Sequence, residues 1–194
     1  MKQIQLPKEL LKKLAENVLR DDVDLWSLDE CHFYQHGSRY KMWVPPENVG
    51  PVVLHAPTRK SVSVFGAVQI ATGKLLMMPS PTFNSETFRL FLEDLMRHGY
   101  GGVPMHLVLD NSRYHHATAL SGWLEEHNQK LMLDFLPPYS PHLNPIERVW
   151  KLIRRLCVHN RYFPTIETLI QTLLEQFKIW KEPNATLRKL CAGI

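Results

Sequence analysis

Long apolar runs are missing from this chain. No stretch of about eighteen consecutive apolar residues occurs, which excludes a membrane-spanning helix and predicts no membrane partner. Cysteine is scarce: Cys31, Cys157 and Cys191 are odd in number and widely separated. They support neither a disulfide framework nor a cysteine zinc site, and they suit a reducing cytoplasm. The sequence shows no secretory leader: Met1-Lys2-Gln3-Ile4-Gln5 leads into LPKELLKKLAENVLR, a basic amphipathic stretch with no cleavage site. Repeats and low-complexity tracts are also lacking. What the chain does have is 194 residues, 44% of them hydrophobic, enough for one domain with its own core. A net charge of +4 mildly favours a polyanionic partner.

The apolar pattern predicts helix over 8–20, strand over 23–33, a long irregular segment over 34–58, and a strand hairpin over 61–70 and 75–78. A helix capped by Asn84 or Ser85 and closed near Gly99 follows, then a strand over 105–110, a helix from His115 to Asn128, and a strand over 131–136. The last helices begin at Asn144, at Thr165 and near residue 184. Three strands paired antiparallel, then two reached through helical crossovers, predict a mixed α/β sheet of five strands with helices on both faces. The expected organisation is a helical linker over 1–22, one domain over 23–180 and a tail helix over 181–194.

The stretch Leu131–Arg155, LMLDFLPPYSPHLNPIERVWKLIRR, is the most informative. Its apolar run reads as a buried strand stopped by Pro137-Pro138-Tyr139-Ser140-Pro141. Asn144 suits an N-cap and Pro145 the first helical position, with Ile146, Val149, Trp150, Ile153 and Leu156 facing inward. Glu147 then completes a capping box with Asn144 and pairs with Lys151, or else serves as a ligand for a hard divalent cation.

Two further acids bear on that choice. Asp29 lies in an otherwise apolar strand, on the face shared by Leu25 and Ser27, and Asp110 ends another strand just before Asn111. Taken singly, Asp29 reads as an edge or bulge residue and Asp110 as a strand-to-turn residue. Together, three acids on elements that one sheet would gather suit a site for two divalent cations.

The strings Trp26-Ser27-Leu28-Asp29-Glu30, Leu109-Asp110-Asn111 with His115 and His116 beyond, and Pro137-Pro138-Tyr139-Ser140-Pro141-His142-Leu143-Asn144-Pro145-Ile146-Glu147-Arg148-Val149-Trp150 resemble the DDE transposases of the mariner superfamily, closest to its bacterial insertion-sequence branch. The 36 residues between Asp110 and Glu147 match that superfamily's spacing, and the likeness covers roughly residues 23–180. It implies a ribonuclease-H-like fold and a catalytic, metal-binding triad of Asp29, Asp110 and Glu147. Glu30 competes for the first position; Asp29 is preferred because the family's aspartate precedes a glutamate here.

The resemblance further implies a metal-dependent endonuclease and polynucleotidyl transferase of bacterial DNA transposition, with two Mg²⁺ ions, Mn²⁺ substituting, and Asp29 bridging. Its partners would be DNA, as element ends and a TA target, a second copy in a homodimer, and a helix-turn-helix polypeptide encoded upstream, since relatives carry such domains before the first acid. Localisation would be the cytoplasm, at the nucleoid. Expected DNA contacts are Arg39, Lys41 and Trp43 in the irregular segment, Asn111 and His115 beside the second acid, and Lys151 and Arg154 on the last motif's helix. That segment resembles a family loop that embraces DNA or a partner subunit, although Pro45-Pro46-Glu47-Asn48-Val49-Gly50 is less basic than in relatives. Two alternatives stay open: a nuclease of the same fold without strand transfer, and an inactive or domesticated binding module.

Overall fold

The computed structural model describes residues 22–47, 52, 54–99 and 101–192; the helix expected over 8–20 lies outside these. Five strands form one sheet: β1 (Asp24–Tyr34), β2 (Ser61–Gln69), β3 (Leu75–Pro79), β4 (Met105–Leu109) and β5 (Leu131–Phe135), in the order β3-β2-β1-β4-β5. β1 pairs antiparallel with β2, and β2 with β3, while β4 joins β1 and β5 joins β4 in parallel. The mixed sheet thus follows from the order of hairpin and crossovers.

Side-chain alternation along β1 divides the core in two. Leu25, Cys31 and Phe33 point into one apolar cluster with α3 (Ile146–Ile153), α4 (Ile166–Trp180) and α5 (Ala185–Cys191). Trp26 and Leu28 point into another, with α1 (Ser85–Met96) and α2 (Thr118–Glu126). Helices therefore cover both faces. Asn84 caps α1 with a full capping box through Thr87, and Thr165 caps α4. Leu187 and Cys191 of α5 are fully buried beneath α3.

Two elements depart from the sequence pattern. The helix expected from His115 is broken: Arg113–His116 form a tight 3₁₀ turn, and Ala117 is extended (φ −63°, ψ 134°) before α2 begins. The burial of His115 against two acids, described below, sets this turn and overrides helix propensity. In the helix carrying Glu147, the predicted stripe holds for Ile146, Val149, Trp150 and Ile153, but Leu156 is exposed. The cause is a wide π-helical turn over Arg154–Val158, which rephases the chain so that Cys157 and Val158 fill the core instead.

Gly66 lies beside Asp29 in the sheet register. A Cβ there would stand 2.4 Å from the Trp150 ring and 2.7 Å from Met77 Sδ. The glycine is what lets the α3 indole come so close to β2, next to the acid.

Candidate active site

The carboxyl ends of the parallel strands open into a cleft of about 590 Å³. Asp29, Asp110 and Glu147 all line it, with Asn111, Arg113, Pro138, Tyr139 and Asn144 around them. Each acid arrives on a different element: Asp29 from mid-β1, Asp110 from the end of β4, and Glu147 from the first turn of α3. Glu30 does not line the cleft, because alternation turns it to the opposite face.

Asp29 is largely enclosed. Trp150 Nε1–H donates to its Oδ2 at 3.0 Å. Burial, reinforced by the neighbouring Glu30 and Glu147 carboxylates, pushes the Asp29 carboxyl up to about 8, against the pull of the Trp150 bond. Asp110 is the opposite case. Its Oδ1 accepts from Ser112 N–H at 3.0 Å, and Ser112 Oγ donates to its Oδ2 at 3.1 Å. With the hydrogen bond from His115 as the largest effect, these hold Asp110 below the usual carboxylate range.

His115 is buried, with Nε2 3.2 Å from Glu30 Oε1 and Nδ1 3.3 Å from Asp110 Oδ1. Tyr114 Oη–H donates to the same Glu30 oxygen. Burial opposes charging of the imidazole, but the bonds to Asp110 and Glu30 outweigh it and lift His115 to about 9. Glu30, Asp110 and His115 offer ligand atoms within 4.8 Å of one another. In that group both ring nitrogens of the imidazole are already taken up by the two acids, so we read it as a support behind Asp110. Sequence reasoning missed this support; the alternation that turns Glu30 away from Asp29 was its one legible sign.

The helix start corrects the sequence reading. Asn144 does not cap α3 and forms no box with Glu147. Its Nδ2 donates to the Leu28 carbonyl at 2.9 Å, and its Oδ1 accepts from the Ser27 hydroxyl. The Ile146 N–H donates instead to Ser27 Oγ at 3.1 Å. In the Pro-rich turn before α3, Tyr139 is 94% exposed and sits in the left-handed region (φ 58°).

The residues expected to meet DNA divide into three groups. Arg39, Lys41 and Trp43 lie on the exposed segment after β1, with Trp43 wholly exposed. Lys151 is exposed on α3, and Arg154 is half-buried, its Nη2 donating to Cys31 Sγ at 2.9 Å and its guanidinium 5.7 Å from the Phe33 ring centre. Both line a second cleft, with Tyr40, Arg148, Arg155 and His159. Asn111 and His115 are committed to the protein: Asn111 Nδ2 donates to the Leu136 carbonyl, and both ring nitrogens of His115 face acids. The expected phosphate contact at His115 does not fit this burial; exposed His116 lies one residue on.

The family model described as DDE superfamily endonuclease matches residues 24–170. The chain belongs to this family. It is 31% identical over 107 residues to the uncharacterized protein y4pE/y4sA of Sinorhizobium fredii, covering 55% of this chain and 76% of that protein. It is 26% identical over 106 residues to the uncharacterized 39 kDa protein of insertion element IS630 from Shigella sonnei, covering 55% of this chain and 31% of that protein. Among solved structures, the mariner Mos1 paired-end complex with Mg is similar with a TM-score of 0.67 at 20% identity, covering 98% of this chain and 60% of that one. The Mos1 catalytic domain is similar with a TM-score of 0.62 at 16% identity, covering 98% and 88%. The fold of this DDE endonuclease domain is therefore ribonuclease-H-like. The domain spans only part of the IS630 protein and of the Mos1 chain in its paired-end complex.

Proposed function

We propose that the chain is the catalytic domain of a DNA transposase, in which Asp29, Asp110 and Glu147 hold two divalent cations, Mg²⁺ or Mn²⁺, and DNA is cut and joined beside them. The observation that carries this reading is the single cleft lined by all three acids, one from each of three elements. The donor set fits the ions: all three side chains offer hard carboxylate oxygens, and Asp29, enclosed beside two other acids, needs a cation to be charged near neutral pH. When bound, such ions activate a water or a DNA 3′-hydroxyl and stabilise the leaving oxygen. The chain's own residues do the rest. Trp150 fixes the Asp29 carboxylate, Ser112 and His115 fix Asp110, and the start of α3 fixes Glu147.

The DNA would run over the basic and aromatic surface carrying Lys151, Arg154, Arg39, Lys41 and Trp43, with phosphates met by the cations and bases by the exposed ring. A structurally similar Mos1 transposase forms a paired-end complex with its left transposon end, which supports DNA as partner. A TA target, a homodimer and a separate helix-turn-helix polypeptide belong to the same proposal.

The deciding experiment uses a supercoiled plasmid and a precleaved duplex with a free 3′-hydroxyl. Mg²⁺- or Mn²⁺-dependent nicking that Asp110→Asn abolishes supports the enzyme, and joining of the precleaved end supports a transposase over a plain nuclease. Metal-independent behaviour, identical in Asp110→Asn, would favour a binding module.

A further inference from the structure

We propose that Ser27 is a positioning residue for the acid site: it caps α3 from the sheet and so sets where Glu147 stands relative to Asp29. The inference rests on the reading of Asp29, Asp110 and Glu147 as the metal-holding acids.

A helix leaves its first backbone N–H groups without intrahelical partners, and a side chain just before the helix normally satisfies one. α3 lacks that arrangement. Pro145 has no side-chain acceptor, and the Asn144 amide is turned to β1. The acceptor for the Ile146 N–H is Ser27 Oγ, from a strand 119 residues away in sequence. The same hydroxyl donates its proton to Asn144 Oδ1, and Asn144 Nδ2 donates to the carbonyl of Leu28.

These three bonds join the two halves of the site at adjacent residues. Ile146 immediately precedes Glu147, and Leu28 immediately precedes Asp29. Ser27 itself shares the Asp29 face of β1. Ser27 is 0% and Asn144 3% exposed, so water cannot substitute for either partner. A helix capped by its own preceding residue could slide against the sheet and keep its cap. A helix capped by the strand that carries the other acid cannot. Side chains that orient metal ligands from behind typically matter roughly 10–100-fold for metal affinity.

The test is Mn²⁺ binding to the full chain, read by electron paramagnetic resonance of the free ion and needing no DNA. Each variant is measured well below its own melting transition. Ser27→Ala is expected to stay folded and bind Mn²⁺ at least about tenfold more weakly than the natural chain. Ser27→Thr, which keeps a hydroxyl, is expected to recover most of that loss. A folded Ser27→Ala protein with natural Mn²⁺ affinity overturns the inference and leaves the metal-site reading standing. A natural chain that binds no Mn²⁺ overturns the metal-site reading, and this inference with it. Should Ser27→Ala fail to fold, Ser27→Cys decides, because its thiol fills the same space and is only a weak acceptor for the Ile146 N–H. Weakened binding there supports the proposal, and unchanged binding overturns it.

Discussion

His115 bridges Glu30 and Asp110, its two ring nitrogens 3.2 Å and 3.3 Å from one oxygen of each. A protonated imidazole donates to both, holding Asp110 ionised and aimed into the cleft. His115→Phe keeps an aromatic ring against Phe88 and removes both donors. The Asp110 carboxyl should then titrate higher than in the natural chain. Metal-dependent nicking should fall roughly 10–100-fold, most severely on the acid side of the pH profile. Nicking kinetics between pH 6 and 9 check this; an unchanged profile would remove His115 from the site's support.

Protons stabilise the metal-free fold. Between about pH 4 and 8 the folded chain keeps a proton on Asp29 that the unfolded chain has released, so stability falls as pH rises through that window. His115 acts in the same direction. Its stabilisation is full below the ordinary histidine range and is lost as pH rises towards about 9. Melting in a chelator should therefore be higher at pH 5 than at pH 8. Asp29→Asn, which carries no charge at any pH, should flatten part of that slope and melt higher than the natural chain at pH 8. Equal slopes for the two proteins would mean that Asp29 is not held neutral.

Gly66→Ala should destabilise the fold by about 1–3 kcal/mol, because the new methyl meets the Trp150 ring and Met77. Displacing the indole also takes its N–H from Asp29, so nicking should drop beyond what the lost stability explains. Urea unfolding gives the first quantity. Activity at a temperature where the variant is fully folded gives the second.

Lys151 and Arg154 should separate when each becomes alanine. Exposed Lys151 has little to lose on the fold, so stability should stay within about 0.5 kcal/mol while DNA affinity falls and the slope of log K against log salt drops by about one. Arg154 also packs on Phe33 and donates to Cys31, so its removal should lower stability as well. Fluorescence anisotropy with a duplex at several salt concentrations, beside thermal melts, tests both.

What the sequence made legible was local. The alternation of β1 puts Asp29 and Glu30 on opposite faces, and the strand and crossover order yields the mixed sheet. The contacts it concealed join residues far apart in the chain. Asn144 has the composition of an N-cap, and nothing nearby reveals that Ser27 takes over that role. His115 looks like a polar residue at a helix start until the fold packs it between two acids. The π-helical turn over Arg154–Val158 is equally silent, since the 3.6-residue stripe points to Leu156 and only the packed core selects Cys157 and Val158.

The back-to-back placement of Asp29 and Glu30 makes β1 a parity device. Sliding this strand by one residue would carry Glu30 into the cleft and Asp29 into the aromatic cluster of Phe88 and Tyr114. The same slip would exchange the buried Trp26 and Leu28 with Leu25 and Ser27, and would part Ser27 from the Ile146 N–H. An insertion or deletion of a single residue within β1 should therefore abolish folding and chemistry together, so length variation in related chains should collect in the exposed segment after Tyr34 instead.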